Sequence, residues 1–503
     1  MAGGGYIIPV WRWKLPIISI LHLSLSQNIL SLKLRQLCCY RLLKCGRAKR
    51  EKLAQKIRIG KVRGRSMIEF EKYEKMLHKS YIEHLGRVNK VIGLTIESLG
   101  PNVNVGDACL ITSQDLSRTV LAEVVGFREN SILLMPLDDM EGIGPGSHVK
   151  SIGHPLQVSV TDGLLGRVLD GLGKPIDDKA PFYTSELYNI ENNAPDPLQR
   201  ARIKDYLPMG IKVLDGLLTI GRGQRVGIFA GSGVGKSTLL GMIARNALAD
   251  VNVIALIGER GREVREFVEK DLGEEGLRKS VVVVATSDRP AMERQKAAKT
   301  ATAIAEYFRD KGKNVMLMMD SLTRFSMAQR EIGLAIGEPP VSRGYTPSVL
   351  AAMPLLLERA GNSDKGSITA LYTVLVDGDD MNEPITDAAR GILDGHIVLN
   401  RKIANKNHYP AIDVLQSVSR VMPEVADTEH KKAASEMRAL LATYQGAEDL
   451  INIGAYVEGS NERIDKAIRK IDAINQYLQQ EVGDYYSFDE EIQMLKDIVY
   501  DEE

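Results

Sequence analysis

A glycine-rich stretch in the middle of the chain has the residue types needed to hold phosphate. The segment VGIFAGSGVGKSTLL predicts a strand, a turn and a helix, with Ala230 at the first glycine position of the phosphate-loop pattern. Glycines let backbone N–H groups converge on phosphate oxygens, and the helix start adds a partial positive charge. Lys236 can reach the β- and γ-phosphates, and the Ser237 hydroxyl can ligate Mg²⁺. The predicted nucleotide-binding residues of the loop are Gly231, Ser232, Gly233, Val234, Gly235, Lys236, Ser237 and Thr238.

A second candidate is the carboxylate that ends the apolar strand NVMLMMD, Asp320. An acid at the end of a strand in a phosphate-loop sheet can help to hold Mg²⁺, directly or through water. A strand-end Asp on its own is more often a cap or turn residue. Because a phosphate loop precedes it in the same predicted sheet, the metal role is the favoured interpretation.

The third feature is an adjacent acid and base in VIALIGERGREVREF, where a buried strand turns at Gly258 into Glu259 and Arg260. The carboxyl ends of neighbouring parallel strands face one crevice, so Glu259 is expected beside the γ-phosphate. There it could orient and polarise the attacking water, while Arg260 could meet phosphoryl charge. The alternative is a solvent-exposed ion pair.

A regular alternation of strands and helices would position these residues. From Gly210 onward, apolar strands alternate with longer amphipathic segments, which is typical of a parallel sheet covered by helices. A long helix is predicted over Ala291–Lys311. The predicted strands are Val226–Phe229, Val253–Ile257, Val281–Ala285, Val315–Met319 and Ile368–Val376.

Two other patterns flank this α/β core, which we assign to residues 210–422. Residues 86–160 hold short alternating runs cut by Gly, Asp and Asn, which predict a small antiparallel β-barrel. Residues 161–209 have strand and turn character and end in a proline-containing linker. Residues 423–503 are helical, and an apolar stripe there predicts domain core, with a partner groove as the alternative. The stripe comprises Ile464, Ile468, Ile471, Ile474 and Leu478.

Charge is divided unevenly along the neutral chain. Residues 1–66 carry 15 Lys or Arg and one acid, a net charge of +14, so the remainder carries −14. An acidic body argues against nonspecific nucleic-acid binding as the main activity. Three of the four cysteines lie in residues 1–66 without the spacing of a zinc site, and only Cys109 lies in the body. No disulfide framework is therefore expected.

The basic leader, residues 1–66, is interpreted separately from the rest. Its apolar part is interrupted by polar residues and is too polar for a confident membrane span. Met67 opens MIEFEKYEKMLHK, which resembles a fresh N-terminus, and an amphipathic segment is predicted over 67–85. We expect the leader to be a mis-annotated start or disordered, and a targeting peptide is the alternative.

Six motifs in order resemble the flagellar and type III protein-export ATPases, which are relatives of the rotary ATP synthase α and β subunits. The motifs are GIKVLDGLLTIGRGQRVGIFAGSGVGKST, IGERGREVREF, DSLTRF, GEPPVSRGYTPSV, VLVDGDDMNEPITD and HYPAIDVLQSVSRVMPEV. The resemblance extends from about Met67 to the C-terminus. It implies an α/β fold with a RecA-like P-loop core and parallel sheet, an N-terminal small β-barrel domain and a C-terminal helical domain. It also implies a homohexamer with nucleotide at the subunit interfaces.

The resemblance also implies roles for single residues. The catalytic set would be Glu259, Arg260, Lys236 and Arg420, and the metal would be held by Ser237 and, through water, by Asp320. Arg420, in SVSRV, resembles an arginine finger given to a neighbouring subunit. Tyr409, in HYPAID, resembles the residue that packs on adenine. A plain core role for Tyr409 and a structural ion pair for Arg420 are the alternatives.

ATP and Mg²⁺ are the implied substrate and cofactor, and several partners are implied with them. A central stalk protein is expected at the ring pore, where the loop EIGLAIGEPPVSRGYTPS would face it; a packed interdomain loop is the alternative. A stator-type negative regulator is expected at the segment 67–85. Export-gate membrane proteins and chaperone–substrate complexes are further expected partners, at the cytoplasmic face of the inner membrane. No specific nucleic-acid partner is expected.

Three other functions are alternatives to protein export. The nearest is the catalytic β-like subunit of a rotary ATP synthase, which needs a partner α subunit, whereas this chain has both Glu259 and the finger candidate Arg420. An RNA translocase requires a basic RNA-binding face with aromatic side chains, but Phe127 is the single aromatic residue in 86–160. A noncatalytic nucleotide-binding scaffold is disfavoured by Glu259. The residues thus predict ATP hydrolysis, and the export role depends on the resemblance.

Overall fold

The computed structural model describes residues 84–376, 378 and 380–501. The predictions for the leader and for residues 67–83 fall outside these residues. Residue 85, assigned above to the amphipathic segment, begins the first strand instead.

The N-terminal part of the described chain is a closed six-stranded antiparallel barrel, which confirms the predicted small β-barrel. Its strands follow the order β1-β2-β5-β4-β3-β6 around the barrel. Their inward residues, among them Ile96, Ile111 and Leu134, are fully buried and form a core of their own. The strands are β1 (Leu85–Ile92), β2 (Thr95–Leu99), β3 (Asp107–Thr112), β4 (Thr119–Arg128), β5 (Ser131–Pro136) and β6 (His148–Pro155).

A segment with mixed roles leads from the barrel to the core. It contains β7 (Gln157–Ser159), β8 (Arg167–Asp170) and β9 (Leu187–Asn189). β7 and β9 pair with each other as an antiparallel ribbon. β8 instead joins the core sheet at its edge, which its short length did not predict.

The core is a mostly parallel sheet in the order β17-β16-β10-β15-β13-β11-β12-β8. The five predicted strands are all present, and the short β16 and β17 were not predicted. β14 and β17 run antiparallel to their neighbours. The strands are β10 (Arg225–Ala230), β11 (Val251–Ile257), β12 (Ser280–Ala285), β13 (Asn314–Asp320), β14 (Gly361–Asn362), β15 (Ser367–Leu375), β16 (Gly395–Leu399) and β17 (Val418–Ser419).

Helices cover both faces of this sheet. The longest in the core, α5, confirms the predicted helix to within one residue. The core helices are α1 (Lys212–Leu217), α2 (Lys236–Asn246), α3 (Gly261–Glu266), α4 (Gly273–Arg278), α5 (Ala291–Asp310), α6 (Leu322–Ile336), α7 (Pro347–Leu357), α8 (Pro384–Ile392), α9 (Arg401–Asn405) and α10 (Met422–Val425).

Burial on both faces explains why the core strands are apolar throughout. Along β11, Val253 and Ala255 pack into the hydrophobic cluster on one face, whereas Ile254 and Leu256 pack into the cluster on the other. Successive side chains of a strand point to opposite faces, so a strand covered on both sides shows no polar alternation. The sheet therefore forms a rigid base whose strand ends hold the polar residues.

Three helices complete the described chain and confirm the helical C-terminal domain: α11 (Thr428–Asn452), α12 (Glu462–Leu478) and α13 (Phe488–Tyr500). On α12, Ile474 and Leu478 are buried and the rest of the predicted stripe is half-buried, as the core interpretation expects. Among the described residues, no helix combines the length and the hydrophobicity needed to cross a membrane.

Candidate active site

The phosphate loop follows the end of β10 and leads directly into α2, which begins at Lys236. Gly235 has a φ of 85°, a left-handed conformation that residues with a Cβ seldom adopt. This turn brings the chain into the helix with its first backbone N–H groups facing the crevice at the carboxyl end of the sheet. The predicted strand, loop and helix are therefore all present.

Lys236 connects the loop to the acid at the end of β13. Its Nζ donates to Oδ1 of Asp320 at 2.5 Å. Asp320 is buried, and its Oδ1 also accepts a hydrogen bond from the Thr373 hydroxyl of β15 at 2.8 Å. Two donors thus fix one oxygen of this carboxylate, and neither binds Oδ2.

Glu259 reaches the same crevice although its strand is not next to the phosphate-loop strand. β15 and β13 lie between β10 and β11, so the expected adjacency of the two strands was wrong. Glu259 Oε1 nevertheless lies 3.7 Å from the Nζ of Lys236. Burial, followed by the negative charge of Asp320, raises the pKa of Glu259 to about 7, while Lys236 opposes the rise.

The adjacent Arg260 points elsewhere. Its side chain is 81% exposed and pairs with Glu263 at 3.2 Å, whereas that of Glu259 is 16% exposed. In this arrangement Arg260, the residue just before α3, points to solvent, and the structure does not bring it to the phosphate loop.

Another arginine, which the sequence analysis did not select, lies beside Glu259. A Cβ added to Gly258, which has a φ of 68°, would lie 3.0 Å from the Cβ of Arg324. The positive charge of Arg324 lowers the pKa of Glu259, and its buried Nε has no hydrogen-bond partner among the described residues. The motif DSLTRF contains this residue, but only the strand order shows that α6 places it next to Gly258.

Tyr409 lies over the start of α2. A Cβ on Gly235 would be 3.4 Å from two ring carbons of Tyr409, and the residue is 41% exposed. Its backbone carbonyl accepts from the N–H of Gln480, just beyond α12. An exposed aromatic ring next to a phosphate loop can stack on a base, and this exposure disfavours a plain core role.

Arg420 lies at the amino end of the parallel strands, whereas the phosphate loop lies at their carboxyl end. Ser419 of β17 pairs with Gly395, the first residue of β16, and β16 runs parallel to β10. The Arg420 guanidinium donates to the carbonyl oxygens of Leu393 and Arg390, at 3.2 and 3.4 Å. Arg420 is exposed and, among the described residues, forms no ion pair. It therefore cannot serve the phosphate loop of its own chain.

Three family models match consecutive parts of the chain. The β-barrel domain and the nucleotide-binding domain of the ATP synthase alpha/beta family match residues 88–153 and 210–419. The C-terminal domain model of the type III secretion ATPase EscN matches residues 426–497. Two of the three models are thus shared with ATP synthases, and the third is specific to secretion ATPases.

Curated relatives decide the family. The flagellum-specific ATP synthase of Bacillus subtilis is 57% identical over 419 residues, which cover 83% of this chain and 96% of the relative. The chain belongs to the flagellar and type III protein-export ATPases. The type 3 secretion system ATPase of Xanthomonas euvesicatoria, another member, is 51% identical and covers 83% of this chain and 94% of its own length.

A solved structure agrees with this membership of the protein-export ATPases. The assembled ATPase EscN of enteropathogenic E. coli, in complex with its central stalk EscO, superposes with a TM-score of 0.77. The match has 47% identity and covers 82% of this chain and all of that one. The chain is therefore an ATPase with a role in protein export, and the rotary synthase subunit is not favoured.

The donor set of this export ATPase fits Mg²⁺. No group of three or more His, Cys, Asp or Glu residues in the described part of the chain could hold a metal on its own. Ser237 and Asp320 offer a hydroxyl and a carboxylate oxygen, the hard ligands that Mg²⁺ prefers. Because Mg²⁺ usually takes one or two protein ligands together with substrate phosphates and water, these two residues suffice.

Proposed function

We propose that the chain hydrolyses ATP with Mg²⁺ at the crevice of Lys236, Glu259 and Asp320, and that hydrolysis energises protein export. The observation that carries this proposal is the position of Lys236, whose Nζ lies between both carboxylates at the carboxyl end of the sheet. Ligands of open parallel sheets bind at the carboxyl ends of the strands. Mg²⁺, when bound, supplies charge neutralisation on the phosphates.

Each residue has a separate role in the proposed reaction. Lys236 and the loop N–H groups bind the phosphates, and Ser237 and Asp320 hold the metal, Asp320 through water. Glu259 accepts a proton from the attacking water or orients it, which suits a carboxylate whose pKa is raised toward 7. Arg324 supplies positive charge beside Glu259. Arg260 would add positive charge there only if α3 turns inward. Tyr409 stacks on adenine.

Assembly completes the proposed site. Arg420 lies at the amino end of the parallel strands, remote from the loop of its own chain, so we propose that it enters the site of a neighbouring copy in a homohexamer. EscN was solved assembled and with a central stalk. By similarity, we propose a stalk protein at the pore of this ring, facing the segment 331–348.

The wider role follows from the family. We propose that the enzyme works in the cytoplasm, at the cytoplasmic face of the inner membrane, and binds the export gate there. ATP turnover would release substrates from their chaperones and deliver them for export. A negative regulator would bind the segment 67–85.

The first test is ATP hydrolysis by the purified single chain. Glu259→Gln should lower turnover by about 10²–10⁴-fold, the usual contribution of a general base, with nucleotide binding retained. Glu266→Gln, which removes an exposed carboxylate from α3, is the matched control and should keep normal turnover. Wild-type turnover by the Glu259→Gln variant would refute the site.

A second test addresses assembly. Specific activity of the wild type should rise with protein concentration and level off as the oligomer forms, because Arg420 must come from a neighbour. Activity and molecular mass are measured over the same dilution series. Constant specific activity in a range where the protein is monomeric would contradict the shared site.

A further inference from the structure

Thr373 lies on the strand between the two strands that end at the phosphate loop and at Asp320. β15 lies between β10, which leads to the phosphate loop, and β13, which ends at Asp320. Ile228 of β10 pairs with Thr373, and Met319 of β13 pairs with the residue before it. Thr373 is therefore beside Asp320 in the sheet, and it is fully buried.

Two acceptors compete for the single hydroxyl proton. Oδ1 of Asp320 is 2.8 Å from Thr373 Oγ1, and the carbonyl oxygen of Met319 is 3.3 Å away. The shorter distance and the charged acceptor both favour Asp320, because hydrogen bonds to ionised groups are about twice as strong as neutral ones.

The other donor to Asp320 has a competing task. Lys236 donates to the same Oδ1, but it is also the side chain proposed to bind phosphate. Thr373 has no such second task, so its bond can hold the carboxylate whether or not Lys236 turns to phosphate. With Oδ1 held, Oδ2 is the oxygen that remains for the water through which Asp320 is proposed to hold the metal.

We infer that Thr373 is a positioning residue that orients the Asp320 carboxylate for Mg²⁺, an inference that rests on the proposed function. Groups that hold a metal-binding carboxylate typically change metal affinity by about 10–100-fold when removed. Thr373 is expected to act on the metal alone, because it donates to Asp320 and makes no bond to the phosphate loop among the described residues.

The experiment compares three threonine variants in the full chain. Thr373→Val removes the hydroxyl at nearly constant shape, and Thr373→Ser keeps it. Thr386→Val is the matched control, because the buried Thr386 hydroxyl has no hydrogen-bond partner among the described residues. Binding of a fluorescent ADP is titrated with Mg²⁺ and, separately, in EDTA, and Mn²⁺ binding with ADP present is followed by electron paramagnetic resonance.

For Thr373→Val, the Mg²⁺ and Mn²⁺ concentrations at half-saturation should rise about tenfold or more. Metal-free ADP binding should stay unchanged, and Thr373→Ser and Thr386→Val should behave as wild type. Unchanged metal affinity in Thr373→Val would overturn the inference, as would an equal loss of ADP binding with and without metal. If Thr373→Val does not fold, Thr373→Ala removes the same hydroxyl and replaces it in the titrations. A raised metal requirement in Thr373→Ala with unchanged metal-free ADP binding supports the inference, and an unchanged metal requirement overturns it.

Asp320→Asn separates this inference from the proposed function. If Asp320→Asn leaves the Mg²⁺ requirement unchanged, the metal role of Asp320 fails and the inference fails with it. If Asp320→Asn raises the requirement and Thr373→Val does not, only the positioning role is lost.

Discussion

At the residue scale, neighbours in sequence have different surroundings. After the turn at Gly258, the Glu259 side chain points into the crevice, whereas Arg260, the residue just before α3, points outward and pairs with Glu263. The positive charge nearest to Glu259 on the strand side comes from Lys236 and Arg324. Of the adjacent acid and base, the structure therefore places only the acid in the crevice.

The raised pKa of Glu259 predicts a pH dependence of turnover. Because a general base works only when it is unprotonated, kcat/KM should fall as the pH drops below about 7, the range to which burial and Asp320 raise the pKa of Glu259. The pH profile of ATP hydrolysis at saturating Mg²⁺ measures this acid limb. Activity that remains constant down to the ordinary carboxyl range, with the protein still folded, would contradict the assignment.

The two arginines near Glu259 predict an asymmetric pair of variants. Arg324→Ala should lower kcat by about 10²–10³-fold, as removal of one preorganised donor commonly does. Arg260→Ala removes an exposed side chain and should lower kcat far less. Single-turnover hydrolysis at saturating ATP distinguishes chemistry from binding. A larger loss in Arg260→Ala would mean that α3 turns inward during the reaction.

Local pattern predicted the site residues that lie in the phosphate loop and at strand ends. Lys236 and Asp320 could be predicted because strand, turn and helix signals lie beside them in the sequence. Arg324 and Thr373 could not, because their roles depend on which strands are neighbours in the sheet. That order is set by packing between distant segments, and a single sequence does not contain it.

At the element scale, a buried carboxyl pair joins the C-terminal helices to the core. Asp215 of α1 accepts hydrogen bonds from the backbone N–H groups of Met209 and Gly210. Glu491 of α13 lies close enough to Asp215 for the Asp215 charge to raise its pKa, and both residues are fully buried. Neither carboxylate oxygen of Glu491 meets a hydrogen-bond partner among the described residues. Burial raises the pKa of Asp215 to about 6, but the two backbone N–H groups favour its charged form. We therefore expect Glu491 to be the member of the pair that holds a proton and donates it to Asp215.

This pair predicts that alkaline pH weakens the docking of α13. Burial, and then the charge of Asp215, raises the pKa of Glu491, while Lys212 opposes the rise and Glu490 adds to it. A carboxyl whose folded pKa is raised stabilises fully below its unfolded pKa of about 4.3 and loses that contribution as the pH rises. The wild type should therefore lose more Tm than Glu491→Gln between neutral and alkaline pH.

Thermal unfolding at a series of pH values measures this difference. Glu491→Gln keeps a donor toward Asp215 without a titrating proton. Asp472→Asn, on the exposed side of α12, is the matched control and should keep the wild-type pH slope. Equal slopes for wild type and Glu491→Gln would show that Glu491 is not protonated in the folded chain.

At the scale of the whole molecule, the parallel sheet separates two halves of the proposed site. The phosphate loop, Asp320 and Glu259 lie at the carboxyl ends of the parallel strands, and Arg420 lies at their amino ends. The sequence predicted this separation only through the family resemblance, because β16 and β17 are too short to be recognised from periodicity. The sheet explains physically why one chain carries two incomplete halves.

Two variants that are inactive alone should therefore regain ATP hydrolysis when they are mixed in one ring. Lys236→Ala keeps Arg420 and Arg420→Ala keeps the phosphate loop, so a ring containing both has complete sites wherever the second type receives the arginine of the first. With random mixing in a cyclic ring, about a quarter of the interfaces are complete. Each complete interface should regain the increase in hydrolysis rate, about 10³–10⁵-fold, that an arginine finger supplies.

The measurement is ATP hydrolysis by the mixed proteins at a concentration where they assemble. Each variant alone should be nearly inactive, and the mixture should exceed the sum of the two. Mixing Arg420→Ala with the double variant Lys236→Ala/Arg420→Ala is the control, because no interface in that mixture has both residues. If the first mixture is as inactive as this control although mass measurement shows mixed rings, Arg420 does not act across the interface. Its bonds to the carbonyl oxygens of Leu393 and Arg390 would then be its whole role.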